Sequence, residues 1–140
     1  MAQDLSIDDL ATEKRRPILQ FREDSHLGQL EVRHDGANLI ARIKYDIDAK
    51  EDTFWIRFPR ARAYRYHAEV HCTTYHLSEV FEQLAEITGS RWQTEVEAAS
   101  TTSMWTLRHF MFYADSHGCL EVLAADFETG GMKPLPPVRD

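Results

Sequence analysis

Cysteine and glycine are both scarce in this sequence, and each scarcity excludes a class of protein. The 140 residues contain two cysteines and six glycines. Two cysteines close at most one disulfide, so a disulfide-stabilised scaffold is excluded and we expect two reduced thiols. The scattered glycines form no phosphate-binding loop or dinucleotide fingerprint, and neither a paired zinc motif nor a nucleophile elbow occurs. These absences argue mildly against an enzyme, and we predict no cofactor.

A long apolar run is also missing. No stretch approaches the roughly 18 apolar residues that a membrane span needs. Asp4, Asp8, Asp9 and Glu13 lie where a signal peptide requires an uncharged segment. We therefore predict a cytoplasmic protein with no membrane association.

Positive charge is scarce overall but locally concentrated. Sixteen Lys and Arg against 23 Asp and Glu give a net charge of −7, which argues against nucleic acid or anionic lipid as a partner of the whole surface. Residues 53–78 are the exception, with four arginines against one acid. A basic segment rich in aromatic residues therefore lies between two acidic ones.

Material for an apolar core is abundant. Hydrophobic residues make up 43% of the chain and 15 residues are Phe, Trp or Tyr, which suffices for one domain of this length. The dipeptide Asp35-Gly36 predicts a hairpin turn. Alternating or continuous apolar residues predict strands at residues 28–35, 37–45, 53–58, 61–70, 104–113 and 119–127. We expect the last two, a long apolar hairpin, near the centre of a sheet.

Helical spacing is clearest in residues 74–88, where Leu77, Val80, Phe81, Leu84 and Ile87 recur on one face. This segment is predicted as the main helix, ending at Gly89.

The other segments are predicted from weaker patterns. A short helix is expected within residues 1–17, since Pro17 would end it. Residues 91–98 favour a strand, with a helix as the alternative. The acidic residues 46–52 are predicted to form a turn, and residues 129–140 an extended or frayed tail.

Together these elements predict a single α+β domain spanning residues 1–140. It consists of an antiparallel sheet of about five or six strands, with the main helix packed on one face and a short N-terminal helix.

Three groups of residues are candidates for function. The first is an acidic surface that would attract a basic protein by electrostatic steering, formed by Glu79, Glu82, Glu86, Glu95 and Glu97. The second mixes arginines with aromatic residues, as binders of single-stranded nucleic acid or a small ligand do, and comprises Trp55, Arg57, Arg60, Arg62, Tyr64, Arg65 and Tyr66. Such a patch is also typical of protein interfaces.

The third group contains potential metal ligands or nucleophiles. His67, His71, Cys72 and His76 offer ligand types that zinc prefers, although ordinary hydrogen bonding at a strand end is the commoner role of such histidines. A thiol enzyme would instead use Cys119 together with His117, His109 and Asp115, although no nucleophile signature surrounds this cysteine.

The end of the sequence resembles a known class of binding protein. Residues 104–113, MWTLRHFMFY, followed by residues 118–124, GCLEVLA, are similar to the terminal hairpin of small bacterial immunity proteins that neutralise a cognate toxin. This resemblance implies tight protein binding that covers the active site of a toxin, without catalysis. We therefore expect a protein-binding module, with a ligand-binding or nucleic-acid-binding module and a His/Cys metal or thiol enzyme as alternatives.

Overall fold

The computed structural model describes residues 13–21, 26–47, 50–100 and 106–131, with the backbone alone at residues 26–27, 46–47 and 50–51. Within these ranges nine strands form two antiparallel sheets. Both sheets contribute side chains to one apolar core. The architecture is therefore a β-sandwich, in which each sheet buries one face against the other.

The first sheet has five strands. They are β1 (Lys14–Gln20), β5 (Ala63–Ala68), β6 (Gln83–Thr88), β7 (Arg108–Ala114) and β8 (Gly118–Ala124). Their spatial order is β1-β6-β7-β8-β5. The predicted apolar hairpin is confirmed as β7 and β8 in the interior of this sheet, and the strand predicted at residues 61–70 is confirmed as β5, which lies at the edge of the sheet. Strands buried on both faces have near-continuous apolar sequences, which explains the pattern of β7 and β8.

The second sheet has four strands. They are β2 (His26–Asp35), β3 (Asn38–Ile47), β4 (Lys50–Phe58) and β9 (Glu128–Gly131), in that spatial order. Gly36, with φ of +62°, forms the turn between β2 and β3 and confirms the predicted hairpin. The turn predicted for residues 46–52 is wrong in its extent, because β3 and β4 continue into it, and residues 48–49 lie outside the described ranges. Of the predicted tail, residues 129–131 belong to β9 and the remainder lies outside the described ranges.

The main core lies between the two sheets. From the four-stranded sheet come seven fully buried side chains, as alternation predicts: Leu39, Ala41, Ile43, Tyr45, Phe54, Ile56 and Phe58. Aromatic pairs connect the layers, since the Phe21 ring lies 5.6 Å from that of Phe54 and 5.3 Å from that of Phe112. Tilted and edge-to-face contacts of this kind stabilise the core beyond the apolar area that it buries.

A second, smaller core covers the outer face of the five-stranded sheet. A 3₁₀ turn (Glu69–His71), α1 (Thr74–Leu77) and α2 (Arg91–Ala99) lie on this side. Tyr75 of α1 packs there with side chains that point away from the main core, including Ile87 and Met111. None of the helices in the described ranges is long and apolar enough to cross a membrane.

The predicted α+β fold with one main helix is wrong, and residues 74–88 show why. The helix ends at Leu77, and Gln83–Thr88 is a strand between β1 and β7. Leu84 packs in the main core while Ala85 and Ile87 pack in the second core. A strand that is buried on both faces needs no alternation, so its apolar residues also fit the helical spacing.

The structure differs from two further predictions. Residues 91–99 form the helix α2, which is the alternative prediction, and not the strand that the pattern favours. The Ser90 side chain caps this helix by accepting a hydrogen bond from the Gln93 backbone N–H. The predicted N-terminal helix is wrong for residues 14–17, which belong to β1, whereas residues 1–12 lie outside the described ranges. Pro17 is tolerated because β1 is an edge strand.

From the packing of the sandwich we expect the removal of two phenylalanine rings to lower stability by very different amounts. Phe112 is fully buried between the sheets, whereas Phe81 is half exposed. We expect Phe112→Ala to lower the free energy of unfolding by about 3–5 kcal/mol and Phe81→Ala by about 1 kcal/mol or less. Chemical denaturation of both variants checks this, and equal losses would contradict the described packing.

Candidate functional site

One end of the five-stranded sheet, around the turn between β7 and β8, presents apolar side chains among carboxylates. Val70, Phe81 and Tyr66 are 85%, 50% and 44% exposed. The Phe81 ring stacks on that of Tyr113 with centroids 5.6 Å apart. We call this region the hairpin-end surface and define it by Tyr66, Glu69, Val70, Glu79, Phe81, Glu82 and Asp115.

Hydrogen bonds hold the parts of the hairpin-end surface together. The Tyr113 hydroxyl donates to Glu69 Oε2 at 2.9 Å, and the Tyr66 hydroxyl donates to the His117 carbonyl at 2.7 Å. The Glu69 backbone N–H donates to the same carbonyl at 2.9 Å. The 3₁₀ turn, β5 and the β7–β8 hairpin are therefore fixed to one another at this end.

The loop at residues 78–82 presents Phe81 through two unusual backbone conformations. Glu79 and Glu82 have φ values of +60° and +54°, which cost a non-glycine residue roughly 1 kcal/mol each. Between them Val80 is buried, and its backbone carbonyl accepts a hydrogen bond from the Tyr113 N–H at 2.8 Å. The strained turns thus bury one apolar side chain and expose the next.

The hairpin-end surface is acidic. Within the described ranges, Glu69, Glu79, Glu82 and Asp115 form no ion pair with Lys or Arg. Burial raises the pKa of Glu82 to about 7, with the Asp115 backbone N–H opposing the shift and the Asp115 carboxylate adding to it. At neutral pH the Glu82 carboxyl is thus near its titration midpoint.

The other predicted glutamates lie elsewhere. Glu86, on β6, accepts hydrogen bonds from Arg16 at 2.7 Å and from Arg108 at 2.8 Å, so its charge is neutralised locally. Glu95 and Glu97 are on α2, at the end of β7 that is opposite to the hairpin turn. Of the five predicted glutamates, the structure brings only Glu79 and Glu82 to the hairpin-end surface.

The predicted Arg/Tyr patch is divided among several places. Trp55 and Arg57 face outward from the four-stranded sheet. Arg60 lies in the turn after β4, and the Arg62 guanidinium donates to Ser100 Oγ at 2.6 Å. The remaining residues are on β5. The Tyr64 ring packs at a tilt against His34, Tyr66 lies at the hairpin-end surface, and Arg65 points to the opposite side of the sheet.

Arg65 is part of a buried network centred on the Glu121 carboxylate of β8. The guanidinium donates to Glu121 Oε2 at 2.6 Å and to Oε1 at 3.0 Å. The Tyr75 hydroxyl and His109 Nε2 each approach Oε1 at 2.9 Å. Burial by itself raises the pKa of Glu121, but hydrogen bonds from His109 and Arg65 outweigh burial and hold the pKa far below its ordinary value. The carboxylate is therefore ionised.

Ser90, His109 and Glu121 form a connected series that superficially matches a hydrolase triad. Ser90 Oγ lies 2.7 Å from His109 Nδ1, and burial lowers the pKa of His109, which keeps the imidazole neutral. Because neutral His109 donates its Nε2 proton to Glu121, its Nδ1 accepts the Ser90 hydroxyl proton. All three side chains are buried, and Ser90 caps α2. The arrangement anchors α2 to the sheet and offers no hydroxyl to a substrate.

The predicted metal ligands are only partly assembled. His67, His76 and Glu121 place one ligand atom each within 4.8 Å of one another. His71 is exposed, and the Cys72 thiol donates to the His67 carbonyl at 3.4 Å.

The protonation of these groups disfavours a metal. The Thr73 backbone N–H donates to His76 Nδ1 at 2.9 Å, so neutral His76 carries its proton on Nε2, the atom a metal would need. Burial lowers the pKa of His76 to about 4, with the nearby His67 acting in the same direction, so the imidazole is neutral and it is the tautomer fixed by Thr73 that opposes a metal. Glu121 is already bound by Arg65 on both oxygens.

The predicted thiol cluster is not assembled around Cys119. Burial raises the pKa of its thiol well above the ordinary value, which opposes thiolate formation. His109 Nε2 binds Glu121, and His117 Nδ1 lies 2.8 Å from the Asp115 carbonyl.

Sequence reasoning missed the Glu121 network and the exposure of Phe81. One signal for the network was present, since Glu121 interrupts the apolar run of residues 119–124, and a charged residue in a buried strand needs partners. Its partners Arg65, Tyr75 and His109 are 56, 46 and 12 residues away in sequence. No local pattern connects them.

We expect the Glu121 network to make a large contribution to the free energy of unfolding, and we expect this contribution to depend on pH. Glu121→Gln leaves Arg65 without a buried counter-charge, and we expect a loss of about 3 kcal/mol or more in the free energy of unfolding. Since the folded pKa of Glu121 lies below its unfolded value, its contribution is present at neutral pH and is lost as the pH falls below about 4. Denaturation of wild type and variant at pH 7 and pH 3 measures this.

A matched control is Glu128→Gln, which removes an exposed carboxylate on β9 and should change stability by about 0.5 kcal/mol or less. If Glu121→Gln has the same small effect, the Glu121 network does not hold the fold.

Comparison with known proteins leaves the functional class open. No family model, no curated protein and no solved structure matches this chain. The resemblance of residues 104–113 and 118–124 to the hairpin of immunity proteins therefore stays a prediction.

Proposed function

We propose that this protein is a non-catalytic binding module, an immunity or inhibitor protein that holds a cognate toxin or effector at the hairpin-end surface. One observation carries the proposal: Phe81 is exposed on a strained loop, and carboxylates surround it that have no Lys or Arg partner in the described ranges. An apolar anchor inside a polar rim is the usual arrangement of an interface hot spot.

Charge defines the kind of partner that this surface fits. Glu69, Glu79 and Asp115 are exposed, and Glu82 adds a further carboxyl group. A basic protein surface would gain complementary contacts and faster association by electrostatic steering. Carboxylates can also mimic the phosphates that a nuclease binds, so a basic nuclease toxin is the partner we favour.

Two other features support this proposal. The strands that resemble the hairpin of immunity proteins are β7 and β8, and their turn lies at the hairpin-end surface. The one triad-like set of residues in the described ranges, centred on His109, is buried and serves packing. We further propose that the protein is bacterial and cytoplasmic, where the free thiols of Cys72 and Cys119 would stay reduced.

Binding to the protein that the adjacent gene encodes tests this proposal. We expect submicromolar affinity for that protein by titration calorimetry and protection from its toxicity in cells. Phe81→Ala should weaken binding by roughly 30-fold or more, as loss of a hot-spot anchor does, and Glu79→Gln by a smaller factor.

The control is the double variant Glu95→Gln/Glu97→Gln on α2, which should bind like wild type. If that double variant loses binding while Phe81→Ala keeps it, the partner uses another surface. If no basic protein encoded beside the gene binds, the immunity proposal is wrong.

The partly buried carboxyl of Glu82 predicts that binding depends on pH. With a pKa of about 7, Glu82 is largely neutral at pH 6 and largely charged at pH 8. A basic partner favours the charged form, so we expect affinity to rise by roughly threefold to tenfold between these pH values. Glu82→Gln should remove the rise and Glu31→Gln, on the other sheet, should keep it. A pH-independent affinity of the wild type would place Glu82 outside the interface.

A further inference from the structure

The outer face of the four-stranded sheet is a second candidate surface, and its chemistry is opposite to that of the hairpin-end surface. The helical segments in the described ranges lie on the five-stranded sheet, so none of them covers this face. Alternation places Ile40, Arg42 and Lys44 of β3 on it, because the residues between them are buried. Trp55 and Arg57 of β4 and Arg33 of β2 lie on the same face.

Trp55 lies flat on this face because its neighbour on β9 is a glycine. Gly130 is the cross-strand partner of Trp55, and a Cβ at Gly130 would lie 2.1 to 2.8 Å from three atoms of the six-membered ring of the indole. The ring therefore occupies the space that any other side chain would fill. The ring lies over the backbone of β9 at Gly130, and the Trp55 side chain is partly exposed to solvent.

Basic side chains surround the indole in a regular array. Arg42 on β3 is the cross-strand partner of Trp55. Lys44 lies two residues from Arg42 on β3, and Arg57 lies two residues from Trp55 on β4. Arg33 is across from Ile40, which in turn is across from Arg57. Neighbouring strands are about 4.8 Å apart and alternate residues of a strand are about 7 Å apart, which is comparable to the spacing of phosphates along a single strand.

Among the described side chains, three carboxylates share the face and limit its charge. Glu128 accepts a hydrogen bond from Arg57 at 2.9 Å, Glu31 is the cross-strand partner of Arg42, and Asp35 lies two residues beyond Arg33 on β2. Four basic residues against three acidic ones leave the face slightly positive, with the excess of positive charge on β3 and β4. The net charge of −7 acts weakly here, because charges more than about 8 Å away are screened at physiological ionic strength.

We infer that this face binds single-stranded nucleic acid, with a base stacked on Trp55 and phosphates held by Arg33, Arg42 and Lys44. A flat aromatic ring on a sheet with basic residues on both sides is the arrangement by which proteins bind single strands without reading their sequence. An acidic protein would use the arginines but has no need of a partly exposed indole among them. This site is independent of the proposed toxin binding and lies on the other sheet.

Fluorescence anisotropy with labelled dT12 and U12 at 50 mM salt tests the inference. We expect binding of both oligonucleotides, with log K falling with log salt at a slope of about −2, which is the value for three phosphates. Trp55→Ala should weaken binding by roughly tenfold, whereas Trp55→Phe should retain most of it. Thermal melting of each variant establishes that it is folded.

Further variants separate stacking from charge. A 12-residue abasic strand should bind roughly tenfold more weakly than dT12, because it has phosphates without bases. Glu128→Gln should strengthen binding by releasing Arg57, and Lys14→Gln, which removes an exposed charge on β1, should leave it unchanged. The inference is overturned if dT12 and U12 do not bind at 50 mM salt, or if folded Trp55→Ala binds dT12 like wild type. Equal binding of the abasic strand would likewise overturn it and would identify a surface for polyanions, acidic proteins among them.

Discussion

The ionised, fully buried carboxylate of Glu121 is the constraint on which the outer half of the structure depends. A charge in the interior of a sheet is tolerated only when donors surround it, and here the donors come from β5, α1 and β7. Arg65 is held in turn by stacking on Trp92 of α2, at 4.1 Å from the ring centroid. One carboxylate therefore fixes both helices against the sheet.

The position of the hairpin-end surface follows from that anchoring. Once Tyr75 is held over the sheet, the chain has five residues, 78–82, in which to leave α1 and enter β6. Arg15 of β1 supports this path by donating to the Tyr75 and Ser78 carbonyls at 2.6 and 2.7 Å. The left-handed conformations of Glu79 and Glu82 are the consequence, and they turn Phe81 outward. The buried network and the exposed anchor are thus parts of one arrangement.

The sandwich also separates charges that are mixed along the chain. Arginines near one another in sequence lie on different sheets, since Arg57 faces outward on the four-stranded sheet and the half-buried Arg65 pairs with Glu121 on the five-stranded sheet. Arg33 and Arg42, distant from the basic segment, join Trp55 on the outer face of the four-stranded sheet. The segment that is basic in sequence is therefore not the surface that is basic in space, and the same holds for the glutamates.

Local patterns were sufficient for the elements whose pairing is local. The β2–β3 hairpin and β4 follow from alternation and from the Asp35-Gly36 turn, and the β7–β8 hairpin from its continuous apolar runs, because each of these strands pairs with its neighbour in sequence. Tertiary structure alone decided that residues 83–88 form a strand, since burial by two cores removes the alternation that marks one. It also decided which of the titratable residues meet, because the partners of Glu121 lie up to 56 residues away. The sequence by itself determined which segments are apolar, which are charged and where the local hairpins turn. The packing of the two sheets determined which of the charged side chains are buried, which are paired and which lie on a surface that a partner can reach.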